Sequence, residues 1–539
     1  MKSNFAASLI ALFLGFSSIS VSYAAEKEKP EKPGSLYVQC DGNPNNLSGA
    51  ESLARGLADA AVIGLFIPRP EQADPSKRKF GEEGVAACQK VLSGEKPEKN
   101  VLRRIKLRLG LAIHKIEASK YQDAIDEVAI AKEEAAEAGL IEDPFFVRSM
   151  GISFNLIKSA AEFRLGDLSA AKESALASLS GNSYNLAGLV AIPSYSKISK
   201  NSTEPENQHL DEFARLLPLG LSAKATRFEN SGDFAAAAKS IDSLIQYVDS
   251  STSIAEGDEK KERRSSFTHA RSAINHSLSG NIAISDQRAK LAKEIHENRI
   301  AEGKDDKGWA NAVELLDLLE ILKHHNDGET DEARRKFGGR SNWLIPSAGI
   351  VSTMVEMLQK DADVSGLHGL LKQSPDAIWE SNLKTRMAKE LAADKNNKNL
   401  FRLSRWYVQE KQYTALAKKV WRVKKSKILN KKFSEKLNAH TMFIYEGPAY
   451  VRYQAFMLHA ALLAKDRGEP GFVISPFLDI PRIALVRFGA AGTKDIPAEL
   501  FLDADHVISE LRILFPDPET LKARRMSRKK RRRSRNRAK

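Results

Sequence analysis

The segment LAIHKIEASKYQDAIDEVAIAKEEA, residues 111–135, contains two helical patterns joined by a short polar turn. Ala112 lies in the first pattern, and Ala124, Val128 and Ala131 lie on one face of the second. Two antiparallel helices joined by a tight turn approach each other most closely near that turn, where a small side chain fits best. A larger residue four positions later lies on the same helix face and fills the widening gap. The segment therefore predicts a helical hairpin.

Four further segments repeat the arrangement of a polar or Gly turn followed by a helix with a small residue early in it. They are LGDLSAAKESA (165–175), SGDFAAAAKSI (231–241), DGETDEARRKF (327–337) and EKQYTALAKKV (410–420). In the last of them Leu416 takes the place of the small residue, so its two helices should lie further apart. SLSGNIAISDQRAKLAKEIHEN (277–298) follows the pattern more weakly. We expect the other segments to pack at Ala124, Ala171, Ala237 and Ala333.

This pattern resembles the second half of the tetratricopeptide repeat, with its best matches at residues 111–135 and 223–244. The resemblance covers roughly residues 99–430 at low stringency. The matching positions are unevenly spaced instead of lying 34 residues apart, and the Pro that ends the family's helices is mostly absent. The resemblance implies a mainly α fold, an irregular TPR-like α-solenoid of helical hairpins over residues 99–436. A generic helical bundle is the alternative.

The chain has two cysteines, Cys40 and Cys88. In an oxidising compartment we expect them to form a disulfide. The bridge would staple an N-terminal helical cap, residues 35–98, with a small-residue apolar helix from Leu53 to Phe66, over the open end of the solenoid. Two separate buried thiols are the alternative.

Residues 437–516 have a different character, because aromatic and β-branched residues cluster there. GFVISPFL (471–478) and RIALVRFG (482–489) read as strands. Amphipathic helices are expected on either side, at 449–468 and 503–515, the second capped by Asp503 or Asp505. This order predicts a small C-terminal α/β domain.

The first 24 residues, MKSNFAASLIALFLGFSSISVSYA, have the form of a secretory signal peptide. Lys2 supplies the positive charge, an apolar stretch follows, and Ser22-Tyr23-Ala24 is a small-x-small cleavage site. Residues 25–34 read as a charged linker. No later stretch approaches the 18 apolar residues of a membrane-spanning helix. We therefore expect secretion across the inner membrane, to the periplasm or cell envelope.

The chain ends in KARRMSRKKRRRSRNRAK (522–539), in which twelve of eighteen residues are basic. The rest of the chain has 71 basic and 69 acidic residues, so the tail accounts for most of the net charge of +14. Residues 517–539 are predicted to be a disordered polybasic tail, because too few apolar residues are present to be buried.

Outside the cytoplasm the expected partners of this tail are anionic lipid, glycolipid or polysaccharide. Nucleic-acid binding and a solubilising appendage without a partner are the alternatives. The predicted polyanion-binding residues are Arg524, Arg525, Arg528, Lys529, Lys530, Arg531, Arg532, Arg533, Arg535 and Arg537.

No catalytic motif is found: G-x-S-x-G, H-E-x-x-H and a phosphate loop are all absent. His324 and His325 are adjacent and point to different sides of a helix, so no metal site is predicted, and no cofactor. The sequence thus favours a non-enzymatic scaffold that binds a protein or peptide, without excluding an enzyme.

The alternative is an envelope enzyme with its site in residues 440–516, for which IYEGPAYVRY supplies Tyr445, Glu446, Tyr450 and Arg452. A packed aromatic junction is the plainer interpretation of these residues. The five tryptophans are interpreted as packing residues, with an aromatic ligand surface as the alternative; they are Trp309, Trp343, Trp379, Trp406 and Trp421.

Overall fold

The computed structural model describes residues 34–45, 71–179, 181–185, 200, 203–252, 265–306, 308–363, 365, 367–395, 400–423, 429–434, 438–444, 449–476, 483–524 and 526–527. The described residues fall into two compact units. The N-terminal unit runs to residue 182 and includes 390–409, and the C-terminal unit comprises 183–389 with 410–527. Both are built mainly from helices. Within these ranges no helix combines the length and the apolar character required to cross a membrane.

The helices of the N-terminal unit are α1 Leu36–Asp41, α2 Gly81–Ser93, α3 Val101–Glu117, α4 Tyr121–Glu137, α5 Ile152–Leu165 and α6 Leu168–Ala177. The predicted disulfide is confirmed, since Cys40 of α1 is bonded to Cys88 of α2. Both cysteines are fully buried and share an apolar cluster with Leu107 and Leu111 of α3. The stapled helices therefore pack directly on the first hairpin.

The C-terminal unit begins with α7 Glu204–Leu216, α8 Gly220–Asn230, α9 Phe234–Thr252, α10 Ser266–Leu278, α11 Ile282–Ala301, α12 Trp309–Asn326 and α13 Thr330–Gly338. It continues with α14 Ala348–Gln359, α15 Pro375–Lys395, α16 Glu410–Val420, α17 Ala449–Asp466 and α18 Ala504–Leu511. The first segment of this unit ends at residue 389, so the last residues of α15 are assigned to the other unit. One apolar cluster joins α10, α11, α12, α13 and α14.

The sheet of this unit has the order β1-β2-β4-β3-β5, with every described pair antiparallel. Its strands are β1 Leu429–Ser434, β2 Ala439–Phe443, β3 Gly471–Pro476, β4 Ile483–Gly489 and β5 Leu502–Asp503. The predicted strands thus form as β3 and β4, and Asp503 caps α18 by accepting from the His506 amide. Val473 of β3 packs with Leu221 and Leu244, so the sheet shares a core with α8 and α9.

Five hairpins share one turn geometry: α3/α4, α5/α6, α8/α9, α10/α11 and α12/α13. In each, a residue one or two positions beyond the end of the first helix has a positive φ of 62–89°. The next residue donates its amide hydrogen to a carbonyl five positions earlier, at 2.8–3.1 Å. This is the Schellman arrangement, which satisfies the last carbonyls of the helix. The left-handed residues are Ser119, Gly166, Gly232, Gly280 and Gly328.

The same hairpins also share a buried pair of residues twelve positions apart, one on each helix. The second-helix member always lies five positions after the left-handed residue. In the second hairpin the Ser159 hydroxyl donates to the Ala171 carbonyl at 2.6 Å, so the two helices are in direct contact there. No member is more than 2 % exposed; the pairs are Ala112/Ala124, Ser159/Ala171, Ala225/Ala237, Ala273/Ser285 and Ile321/Ala333.

The hairpin predicted at 410–420 does not form. Its second helix exists as α16, but the described residues before it, 404–409, are not helical. Leu416 of α16 is nevertheless buried. The fifth hairpin with the shared turn geometry is formed by α10 and α11. Its segment, 277–298, follows the sequence pattern more weakly because Ser285 takes the place of the alanine.

Two predicted boundaries also differ from the structure. Strand β1 lies inside the range predicted for helical repeats, so the sheet begins at Leu429 and not after 437. Residues 518–524 are helical, within the range predicted to be disordered. The signal peptide, nearly all of the linker and the predicted helix at Leu53–Phe66 lie outside the described residues.

The close approach of α8 and α9 can be tested with a larger side chain. Ala237→Leu places three more carbon atoms at a fully buried position, and we expect it to lower the free energy of unfolding by about 1–3 kcal/mol. Ala235→Leu, at an exposed position of the same helix, is the matched control and should change it by less than about 0.5 kcal/mol. Urea denaturation measures both, and equal effects would show that no close contact exists.

Candidate functional site

Of the predicted polyanion-binding residues, Arg524 lies within the described part of the chain. Its guanidinium Nη1 is 3.1 Å from Glu410 Oε1, at the start of α16. The others fall outside that part: Arg525, Arg528, Lys529, Lys530, Arg531, Arg532, Arg533, Arg535 and Arg537.

The chain just before the basic tail is anchored on α16. Phe515 is fully buried against Tyr413, with ring centroids 5.4 Å apart. The Trp421 indole Nε1 donates to the Phe515 carbonyl at 2.7 Å. Asp517 accepts from the Thr520 amide and from Arg512, and these bonds lower the pKa of Asp517 to about 2. The basic segment therefore starts from a fixed point of the C-terminal unit.

The residues proposed for an enzyme site are only partly described. Tyr445 and Glu446 lie outside the described ranges, as does the side chain of Tyr450, although its backbone belongs to α17. Arg452 is buried in the same helix. This site stays a prediction.

The two histidines at the end of α12 contact acidic and polar side chains. His324 Nδ1 is 2.5 Å from Glu329 Oε2, and His325 Nδ1 lies 3.4 Å from the Thr330 hydroxyl. Across the described residues, no group of three His, Cys, Asp or Glu side chains could hold a metal ion.

The tryptophans occupy separate environments. Trp343 is buried beside Phe337, and Trp309 stacks on His296 with ring centroids 3.9 Å apart. Trp379 is buried as well, whereas Trp406 is 39 % exposed in the N-terminal unit. Most of them therefore serve packing, as interpreted from the sequence.

Sequence reasoning missed a buried polar network between the first helices of two successive hairpins, α8 and α10. Arg271 forms a two-pronged ion pair with Glu229, at 2.8 and 2.9 Å. Its remaining bonds reach Ser222 and Thr226, and Asn275 donates to the same carboxylate at 2.7 Å. Such a forked guanidinium–carboxylate contact fixes both distance and orientation. No local motif signals it, because the partners lie more than forty residues apart.

The Glu229–Arg271 pair should couple the two hairpins energetically. Arg271→Met leaves the Glu229 carboxylate buried without its cation, so we expect the free energy of unfolding to fall by about 3–5 kcal/mol. Glu229→Gln combined with Arg271→Met should recover part of that loss. Arg335→Met is the control, because its contact with Glu332 is exposed, and it should change little. Denaturant unfolding of the wild type, Arg271→Met, Glu229→Gln and the double variant gives the coupling energy.

The N-terminal unit contains a buried lysine. Lys106 of α3 donates to the Ser404 carbonyl and hydroxyl at 2.6 and 2.7 Å, and its ammonium lies 4.9 Å from the Trp406 ring. Nearby, Arg103 forms a buried ion pair with Asp41. Burial lowers the pKa of Lys106 to about 7, with Asp41 acting in the opposite direction. A lysine amine that is half neutral near pH 7 is chemically suited to proton transfer, but this one is enclosed and serves to hold residues 400–409 against α3.

Lys106 should make stability depend on pH. The unfolded chain keeps this proton up to about pH 10.5, whereas the folded chain releases it near pH 7. The penalty for burying the ammonium is therefore full below pH 7 and is relieved as pH rises from 7 to 10.5. Relative to Lys106→Met, the wild type should gain at most about 5 kcal/mol of unfolding free energy over that interval.

Unfolding in urea at pH 7, 8.5 and 10 measures this difference. Lys290→Met, at an exposed site of α11, is the control and should show no such dependence. A Lys106→Met difference that does not change with pH would mean that Lys106 titrates normally in the folded protein.

A second basic segment was also missed. Nine of the 24 residues from 411 to 434 are Lys or Arg, and none is acidic. This cluster of basic residues is visible in the sequence. It does not appear in the net charge of the chain outside the tail, because acidic residues elsewhere cancel it. Within this segment the structure describes α16, residues 421–423 and β1.

Comparison of the chain with protein-family models, curated proteins and solved structures gives no match.

Proposed function

We propose that the protein is an exported, non-enzymatic helical-repeat scaffold that binds a protein or peptide partner, with its C-terminal basic segment attaching it to an anionic surface. The disulfide between Cys40 and Cys88 supports export, since such bonds persist in oxidising compartments. On this proposal the site of action is the periplasm or cell envelope.

The observation that carries the proposal is the repetition of one hairpin. Five hairpins use the same left-handed turn and the same buried pair twelve residues apart. Repetition of one packing unit is characteristic of tetratricopeptide-like arrays, whose stacked units offer an extended binding surface. On this view the irregular spacing arises from insertions between hairpins.

In the C-terminal unit the first helices lie side by side. Arg271 of α10 bonds to three side chains of α8, and Ala270, Ala273 and Ile274 of α10 share a core with α12. A partner that spans more than one hairpin would meet this layer of first helices α8, α10 and α12. Half-buried Phe228 on α8 and exposed Asn311 on α12 are positions from which a bound chain could be reached.

Site-specific photocrosslinking tests the binding function. A photoreactive phenylalanine analogue placed at Phe228 or Asn311 should form a discrete adduct with an envelope protein, because these positions belong to the layer of first helices. Exposed positions on second helices, Lys239 of α9 and Lys290 of α11, are the matched controls and should give several-fold less. Adducts are quantified by electrophoresis and identified by mass spectrometry.

Either of two results would contradict the proposal: no adduct from any of the four positions, or equal adduct from all of them. The first would mean that no partner binds the hairpins. The second would mean that contact is nonspecific.

A further inference from the structure

Helix α16 has one buried face and one basic face. Tyr413, Leu416, Ala417 and Val420 are buried, at the spacing of a single helical stripe. On the opposite face Lys411 and Lys418 are exposed, and Arg422, just beyond the helix, continues the same line. We call these three side chains, Lys411, Lys418 and Arg422, the α16 basic stripe.

The anchored C-terminal segment runs along the same helix in the opposite direction. Phe515 is bonded to Trp421 at the end of α16, and Arg524 is paired with Glu410 at its start. Glu410 is the one acidic residue between 400 and 434, and its carboxylate is engaged by Arg524. The stripe and the root of the tail, residues 522–524, therefore belong to one region of the molecule.

Large apolar side chains are exposed at both ends of this anchored segment. Ile513, two residues before Phe515, is 65 % exposed, and Met526, two residues after Arg524, is 57 % exposed. Among the large apolar side chains of the described residues, Ile513 has the highest exposure.

His440 of the sheet lies beside cationic side chains. Burial, Arg467 and Lys432 of β1 all lower the pKa of His440 on β2, to about 4. His440 Nε2 lies 2.6 Å from the Arg467 guanidinium. His440 therefore stays neutral between pH 5 and 8.

We infer that the α16 basic stripe, the basic root of the tail and the exposed Ile513 and Met526 together form a surface that binds an anionic lipid bilayer. This inference rests on the proposed attachment to anionic surfaces and deepens it, because it adds folded residues to the tail and selects the lipid. The basic side chains would contact headgroup phosphates, and the two apolar side chains would enter the acyl boundary.

A bilayer fits these features better than a nucleic acid or a polysaccharide. All three offer negative charge, and the basic side chains alone do not distinguish them. Only the bilayer also offers an apolar layer within a few ångström of its phosphates. The combination of exposed basic side chains on α16 with exposed apolar side chains on the C-terminal segment anchored to it is therefore the discriminating feature.

Vesicle co-sedimentation tests the inference with the full protein. Vesicles of phosphatidylcholine with 30 % phosphatidylglycerol should retain the wild type, and pure phosphatidylcholine vesicles should not. The triple substitution Lys411→Gln, Lys418→Gln and Arg422→Gln leaves the tail intact and should lower the partition coefficient about a hundredfold, since each of the three cations near an anionic surface contributes about 1 kcal/mol. Lys132→Gln, Lys290→Gln and Lys293→Gln together remove equal charge from other exposed sites and should have little effect.

The apolar contribution is measured separately. Ile513→Ser with Met526→Ser should weaken binding to phosphatidylglycerol vesicles but leave retention on heparin or duplex DNA unchanged. If this double variant binds vesicles as the wild type does, the bilayer is not the partner and the inference is overturned.

Deletion of residues 528–539 distinguishes bilayer binding by the α16 surface from attachment by the tail alone. If the deletion abolishes vesicle binding and the triple substitution leaves it unchanged, the tail alone attaches the protein and the inference falls. If neither the wild type nor any variant binds vesicles, the proposed attachment to anionic lipid falls with it. Partner crosslinking at Phe228 is independent of both results.

Discussion

The close approach of paired helices beside a left-handed turn is the contact on which the rest of the structure depends. A left-handed residue at the turn reverses the chain within three residues, and this places the first turn of the second helix against the first helix. Only a small side chain allows that contact, which is why the second-helix position is Ala or Ser in all five hairpins. Within each unit, helices of successive hairpins share one apolar core.

Buried charges fix how the helices sit beside one another within each unit. An apolar contact tolerates sliding, whereas a forked contact such as Arg271–Glu229 has one geometry. In the N-terminal unit the pair Arg103–Asp41 and the ammonium of Lys106 fix α3 in the same way. Such pairs add little net stability, because desolvation offsets their attraction. Their contribution is to the specificity of the helix positions.

Local packing could be predicted from the sequence, and contacts between distant segments could not. Ala124, Ala171, Ala237 and Ala333 are all fully buried, and a small residue after a polar turn is a signal that the local sequence carries. The same signal was wrong at 410–420, since nothing local reveals that residues 404–409 are not helical.

The α16 basic stripe was not predicted from the sequence, for a different reason. Its charges are visible in the sequence, but they were averaged with acidic residues elsewhere in the chain. Their alignment on one helix face, and the anchoring of the tail along that helix, depend on the contacts of Phe515 and Arg524. Both contacts join segments about one hundred residues apart.

Native-state hydrogen exchange of the second-helix amides tests the repeated contact most directly. The amide hydrogens of Ala124, Ala171, Ala237, Ser285 and Ala333 lie in the first turn of their helices, where exchange is normally rapid because helix ends fray. Burial at the closest approach of two helices should make these five exchange as slowly as amides at the helix centres. Rapid exchange at these positions, with slow exchange further along the same helices, would contradict the account.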